Sequence, residues 1–487
     1  MSEKRQKVGS SKFDSLRPEE IGEILNFVND PQVISSLCLT SKSLSQFFGM
    51  ENVYNKCKNI VFKIKSTNKI IRHYVTHLEL LLYSYSYLLS IEDYEMTIEY
   101  KYRTIYFDHF PGLVHLDISF AERYNKFDHN YTDINEITFP ETIQTLKIYE
   151  FPDIYWDSIN KLPKNLESLT IIPYINELRN IYTNHLHGVT NWILPSTLKK
   201  LKLPNTKCYD ALRNTRLPPT LEIIDLSGTY IPYEFIVRLN SLPNPLELYL
   251  RNIHKLNPGD YTEIRFSESL KVLDLSDNIM TFSQIIKLQY PRGLTNLNLS
   301  RNRFSGGLPL QFFNMAMYIS DFNLPAGLKI LNLSTNNFNY YDLQEKIISL
   351  VNLEELDLSF THGIIDTLSN RVCMFPPKLK KLNLMESKII LNQDLSEKIH
   401  FPESLLVLNM SANQIIFSEF NKLKLPQGLK KLDLSWTRMS DKDLEELNIP
   451  KSLIKLILWG NNITKRTPNL EQKLQIECRS LHVTWIL

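Results

Sequence analysis

The sequence predicts an α/β solenoid built from about fourteen copies of one short unit, on three observations. First, 487 residues exceed what one compact core of ordinary size holds, so the chain must divide into domains or repeat itself. Second, segments of the second half are near copies of one another: Leu324-Pro-Ala-Gly-Leu-Lys-Ile-Leu-Asn-Leu-Ser-Thr-Asn336, Phe401-Pro-Glu-Ser-Leu-Leu-Val-Leu-Asn-Met-Ser-Ala-Asn413 and Leu425-Pro-Gln-Gly-Leu-Lys-Lys-Leu-Asp-Leu-Ser-Trp-Thr437. Their shared frame is LPxxLxxLxLSxN/T. Third, the first leucine after the proline, or Ile143 in one copy, recurs at 113, 143, 166, 198, 221, 246, 270, 294, 328, 353, 379, 405, 429 and 453. Most spacings are 23 to 26 residues, and spacings of 30, 32 and 34 mark copies with inserted loops.

This frame resembles the leucine-rich-repeat family over roughly residues 105–463. The resemblance implies a curved parallel β-sheet of LxL strands on a concave face, with short helices and loops on the convex face. Elementary geometry supports it. A strand alternates its faces, so in Leu273-Asp-Leu275 the leucines point inward and Asp274 points to solvent. No single unit can bury its own leucines, which makes stacking obligatory. A weaker copy is expected from Val75, with Leu78 and Leu80 in frame. Regularity is best from about residue 198 onward, although the unit Leu242-Pro-Asn-Pro-Leu-Glu-Leu-Tyr-Leu250 is one residue short.

Taken from the amino terminus, residues 1–11 read as a disordered polar tail. Residues 12–50 depart from the repeat and read as a small helical module. Ile21, Ile24, Leu25 and Val28 share one helical face, Pro18 suits a first helical position, and Glu19 and Glu20 suit the positive end of the helix dipole. Val33, Ile34 and Leu37, then Leu44, Phe47 and Phe48, suggest two more helices. So few residues bury too small a core to stand alone, so the module leans on the solenoid or on a partner. The segment resembles the F-box: from Pro18, the residues Glu20, Ile21, Asp30, Pro31, Leu37, Leu39, Ser41 and Lys42 fall in one register. It departs from that pattern at Arg17, Val33 and Leu44, and Ile24-Leu25 stands one place early. The resemblance implies docking on the Skp-type adaptor of a cullin ubiquitin ligase through Pro18, Ile21, Leu25, Leu37, Leu39 and Lys42, with the solenoid capturing the substrate. The layout is also similar to large leucine-rich-repeat families of budding fungi. Residues 51–104 read as a transition with the weak first copy, and 464–487, ending Leu-His-Val-Thr-Trp-Ile-Leu, as a carboxyl-terminal cap or a docking tail.

Within the repeats, three residues after the second strand leucine stands Asn278, Asn302, Asn336, Asn413 or Asn461, replaced by Thr206, Thr229, Thr361, Thr437 or Ser387. These side chains are expected to satisfy buried backbone groups where the chain leaves the strand. The prolines that open most units act as punctuation. Phe282–Leu288, Tyr341–Leu350 and Asp441–Leu447 carry apolar residues at three- and four-residue intervals, which predicts short helices. Asp117, Asp225, Asp274, Asp357 and Asp433, with Asn298, Asn332, Asn383 and Asn409, form a column of ordinary occupants for that place in the frame.

Composition narrows the function. A net charge of +2 offers no global attraction to nucleic acid or to an acidic membrane, and the longest apolar run, Leu78 to Leu89, is too short to span a bilayer. The polar start lacks a signal-peptide core, and five scattered cysteines contain no CxxC pair, so a reduced cytoplasmic or nuclear setting is expected. HExxH, the P-loop, GxGxxG after a strand and GxSxG are absent, and His185-Leu-His187 reads as solvated polar residues. The expectation is a binding protein with a protein partner, without catalytic residues, metal or cofactor. Candidate partner-binding residues are those that break the frame on the concave side: Arg251, Arg301, Phe360, Trp436 and Trp459. A lysine stripe of Lys199, Lys200, Lys380, Lys381, Lys430, Lys431 and Lys455 borders the strands, as a solvated edge or as a contact for an acidic partner segment.

Overall fold

The computed structural model describes residues 62–63, 77–83, 104–106, 113–121, 136–151, 162–173, 192–206, 212–229, 231, 233–253, 264–305, 321–361, 372–391, 396–463 and 482–484. The F-box-like segment, with Pro18, Ile21, Leu25, Leu37, Leu39 and Lys42, and the His185-Leu-His187 pair lie outside the described residues. The chain divides into two units, residues 1–235 and 236–487.

The amino-terminal unit holds β1 (Phe62–Lys63), β2 (His77–Tyr83), β3 (Thr104–Tyr106), β4 (His115–Ala121), β5 (Glu136–Thr138), β6 (Thr145–Phe151), β7 (Ser168–Pro173), β8 (Lys200–Lys202) and β9 (Ile223–Asp225). Its main sheet runs β1-β2-β4-β6-β7-β8-β9, every neighbour parallel, and β3 pairs with β5 beside it. Leu78, Leu116, Leu146, Leu169, Leu201 and Ile224 stand in one register across those strands. From Leu116 onward each of these side chains is completely buried, which stabilises the stack by about 2 kcal/mol per residue. Helix α1 (Tyr233–Leu239) spans the point where one unit gives way to the next.

The carboxyl-terminal unit continues with β10 (Glu247–Tyr249), β11 (Val272–Asp274), α2 (Phe282–Ile285), β12 (Asn296–Asn298), β13 (Ile330–Asn332), α3 (Tyr340–Ile348), β14 (Glu355–Asp357), β15 (Cys373–Met374), β16 (Lys381–Asn383), β17 (Ile390–Leu391) and β18 (Ile399–His400). It ends with β19 (Val407–Asn409), β20 (Gln414–Ile415), α4 (Phe417–Phe420), β21 (Lys431–Asp433), α5 (Asp441–Glu445), β22 (Lys455–Ile457) and β23 (His482–Thr484). The parallel order is β10-β11-β12-β13-β14-β16-β19-β21-β22-β23, with β15 against β18 and β17 against β20. The three stretches with helical spacing carry α2, α3 and α5. Asn339 caps α3 by accepting the Tyr341 amide, and Ser440 with Asp443 closes a capping box on α5. Away from the sheet, the repeats are packed by aromatic contacts: Phe304 on Phe282 and Phe338, and Phe375 stacked between Tyr340 and Phe401.

The short unit resolves differently from its sequence expectation. Leu246 is not the buried leucine of its copy: it is 39% exposed, and Pro245 is buried in that socket instead. The backbone confirms the slide, because Lys271 and Val272 both donate to the Leu246 carbonyl, the bond that each neighbouring repeat makes to the residue after its buried leucine. Counting from Pro245 restores a regular spacing and places Leu248 in register with Leu273. The opening prolines are equally specific. In ten units the proline carbonyl accepts from the backbone N–H of the leucine or isoleucine three residues on, as in Leu328 to Pro325, so the proline starts a β-turn at a position that needs no N–H of its own.

Candidate functional site

If the buried leucine that precedes each strand is position one, the strand covers positions three to five, the second strand leucine is six and the asparagine is nine. In the carboxyl-terminal unit most strands bury their central residue and half-expose the two beside it, so positions three and five line an open sheet face. Position five is the Asp/Asn column, and its role is local. Asp274, Asn298, Asn332, Asp357, Asn383, Asn409 and Asp433 each accept the backbone N–H two residues on, at 2.8–3.2 Å. That bond turns the chain out of the strand.

Position nine completes the turn. Asn302 Oδ1 accepts the amides of Asn278 and Met280 from the preceding repeat, at 3.2 and 3.0 Å, while its Nδ2 donates to the carbonyls of Leu275 and Leu299. Asn413 and Asn461 repeat the same four contacts. Thr229, Thr437 and Ser387 donate a hydroxyl to one carbonyl at 2.5–2.9 Å. These residues are the mortar between repeats. A second ladder escaped the sequence reading: the Ser or Thr just before position one donates to the preceding repeat's position-one carbonyl, as in Thr142 to Leu113, Thr220 to Leu198, Ser404 to Leu379 and Ser452 to Leu429.

Position eight carries the surface. From Asn205 through Gly228, Asn252, Asp277, Arg301, Thr335, Phe360, Glu386, Ala412 and Trp436 to Gly460, every occupant has φ between 48 and 67°. The left-handed conformation is cheap for Gly, Asn and Asp and unfavourable for bulky side chains. It persists because the position-eight N–H must reach the next repeat's position-seven carbonyl, as Trp436 N reaches Trp459 O at 2.7 Å. Three candidate residues, Arg301, Phe360 and Trp436, occupy this column, and Arg251 and Trp459 occupy position seven beside it.

The structure does not gather all five into one patch. Arg251 leans on the next repeat's Asp277 at 3.7 Å. Thr335 separates Arg301 from Phe360, and Glu386 and Ala412 separate Phe360 from Trp436, three strands away and so about 14 Å off at ordinary strand spacing. Trp436 and Trp459 stand in neighbouring repeats, joined through the main chain by the Trp436 N–H on the Trp459 carbonyl. Trp436 is 64% exposed, Trp459 41% and Phe360 38%. The indole of Trp436 lies over Gly460, where an added Cβ would stand 2.3 Å from the ring. Gly460 is therefore part of the site: at φ +61° and without a side chain, it makes the seat on which the ring rests. The Trp-Gly-Asn run at 459–461 was its signal in the sequence.

Burial pushes the Cys373 thiol and the Tyr340 hydroxyl, which donates to the Met374 carbonyl, to higher pKa. Among the described residues no group of three or more His, Cys, Asp or Glu side chains is arranged to hold a metal ion, and no helix is long and apolar enough to cross a membrane.

A family model described as Leucine Rich Repeat matches residues 293–315. No curated protein matches the chain. Among solved structures, an internalin from Listeria monocytogenes is similar at 19% identity and a TM-score of 0.42, covering 71% of this chain and 87% of its own. A TLR13–ssRNA13 complex is similar at 18% identity and a TM-score of 0.40, covering 77% of this chain and 62% of the TLR13 chain. The parallel register of the repeated strands and the match at residues 293–315 make the fold a leucine-rich-repeat solenoid.

Proposed function

We propose that this chain is a protein-binding solenoid acting as the substrate receptor of an SCF-type ubiquitin ligase, in the cytoplasm or nucleus. The observation that carries the binding role is the Trp436–Trp459 pair. Two tryptophans in adjacent repeats are 64% and 41% exposed, yet the backbone beneath them is held by Asn461 and by main-chain bonds that do not involve either ring. Exposed aromatic side chains on a rigid support are the usual anchors of a protein interface. The adaptor role rests on the F-box resemblance of residues 12–50. A solenoid provides the complementary part, a long surface for capture.

Co-purification with the Skp-type adaptor of the chain's own cell tests the ligase role. The wild type is expected to retain the adaptor, and Pro18→Ala/Leu37→Ala to lose it while remaining folded. No retention by the wild type overturns the ligase role and leaves a scaffold. Trp436→Ala/Trp459→Ala is expected to keep the adaptor, lose the captured substrate and shift Tm by less than about 2 °C. A large fall in Tm would assign the rings to stability instead.

A further inference from the structure

We infer that the last repeats bind an acidic segment of a protein partner, laid across the sheet from the lysines at one end of β21 and β22 to the two indoles at the other. The inference rests on the binding role proposed above and adds the chemistry of the ligand.

Charge along positions two and three supports it. In one repeat of this unit both lysines meet a carboxylate of the preceding repeat: Lys380 with Glu354 and Lys381 with Glu355, both at 2.6 Å. Farther on the pattern stops. Leu406 and Val407 replace the acids, and Lys430, Lys431 and Lys455 follow with no carboxylate in range among the described residues. Lys431 stands in register with Lys455, so two cations sit side by side on neighbouring strands. Like charges directly opposed in a sheet are unfavourable, and a bound anion relieves them. Apolar surface accompanies the charge, since Leu406 and Ile454 are exposed in the same column. Asp433 lies on this face, and its Oδ1 is engaged by the Ser435 amide and hydroxyl at 3.0 and 2.6 Å. Lys431 and Trp436 are five residues apart, at most about 17 Å along the chain, within the reach of a five- or six-residue extended peptide. Three lysines beside apolar and aromatic groups suit an acidic peptide with hydrophobic side chains better than a nucleic acid backbone, which draws on longer basic tracks.

Selection of phage-displayed random dodecapeptides on the full chain tests this, with Lys431→Glu/Lys455→Glu and Trp436→Ala/Trp459→Ala as parallel baits. The wild type is expected to enrich Asp- and Glu-rich peptides bearing aromatic or aliphatic residues. A synthetic copy of the best peptide is expected to bind at least about tenfold more weakly to the charge-reversed variant and to weaken as salt rises. Enrichment of apolar peptides without acids, lost only in the tryptophan variant, overturns the acidic ligand and leaves the binding face standing. Enrichment unchanged in the tryptophan variant overturns both. Displacement of the acidic peptide by a single-stranded RNA at lower concentration than by the free peptide itself also overturns the acidic-protein ligand.

Discussion

The early strands β2, β4, β6 and β7 run for six or seven residues, whereas every strand of the main sheet from β8 to β23 runs for three. The buried leucine register is the same in both regions, so hydrophobic pattern does not set strand length. Termination does. In most later repeats an Asp or Asn at position five captures the amide of position seven, position eight turns left-handed, and Asn, Thr or Ser at nine ties the turn to its neighbours. The early repeats read Leu116-Asp-Ile-Ser-Phe-Ala121, Leu146-Lys-Ile-Tyr-Glu-Phe151 and Leu169-Thr-Ile-Ile-Pro173: alternation continues and no Asn or Thr stands at position nine. Asp117 is at the right position but directs Oδ2 to Lys147 at 2.9 Å. β7 ends at Pro173.

The sharpest way to break this comparison is Asn302→Ala. It strips partners from the buried amides of Asn278 and Met280 and is expected to cost about 3 kcal/mol, read as a fall in Tm and as loss of hydrogen-exchange protection at those two amides. Unchanged protection would mean that the main chain alone ends the strand. Gly228→Ala comes next, at about 1–2 kcal/mol, because its Cβ would stand 2.0 Å from Asn205 Oδ1 on a backbone with φ +67°. Adding Asn205→Gly should recover part of that loss, and no recovery would place the cost in the backbone alone. Asp357→Ala should cost about 1 kcal/mol and expose the Ser359 amide to exchange. The smallest effect concerns surface charge. Hydrogen bonding to Lys380 holds the Glu354 carboxyl below the usual glutamate range. A depressed carboxylate favours the folded state above its unfolded pKa, and that preference fades as pH falls through the folded value. An NMR titration should therefore place Glu354 low, and Lys380→Ala should return it toward the ordinary value.

Much of the architecture was legible because it depends on side-chain type at fixed spacing. The Asn and Thr of position nine, the helices at 282, 340 and 441 and the parallel stacking of LxL strands all follow from groups that a single repeat leaves unsatisfied. Leu246 shows where legibility ends. A leucine and a proline compete for one socket, and only the hydrogen-bond register with Lys271 and Val272 decides that Pro245 fills it. The binding face divides in the same way. The frame marks Arg251, Arg301, Phe360, Trp436 and Trp459 as unusual, but it cannot say which meet.

By itself, then, the sequence determined the repeat, its inward leucines and the ladder that joins the copies, since each is a local demand for burial or for a hydrogen-bond partner met at a constant interval. The tertiary structure alone decided that Trp436 rests on Gly460 in the repeat of Trp459, that Phe360 stands apart, and that Lys380 and Lys381 meet Glu354 and Glu355 whereas Lys430, Lys431 and Lys455 have no carboxylate in range among the described residues. Those outcomes depend on contacts between residues 24 to 26 positions apart, and such contacts exist only once the copies are stacked in register.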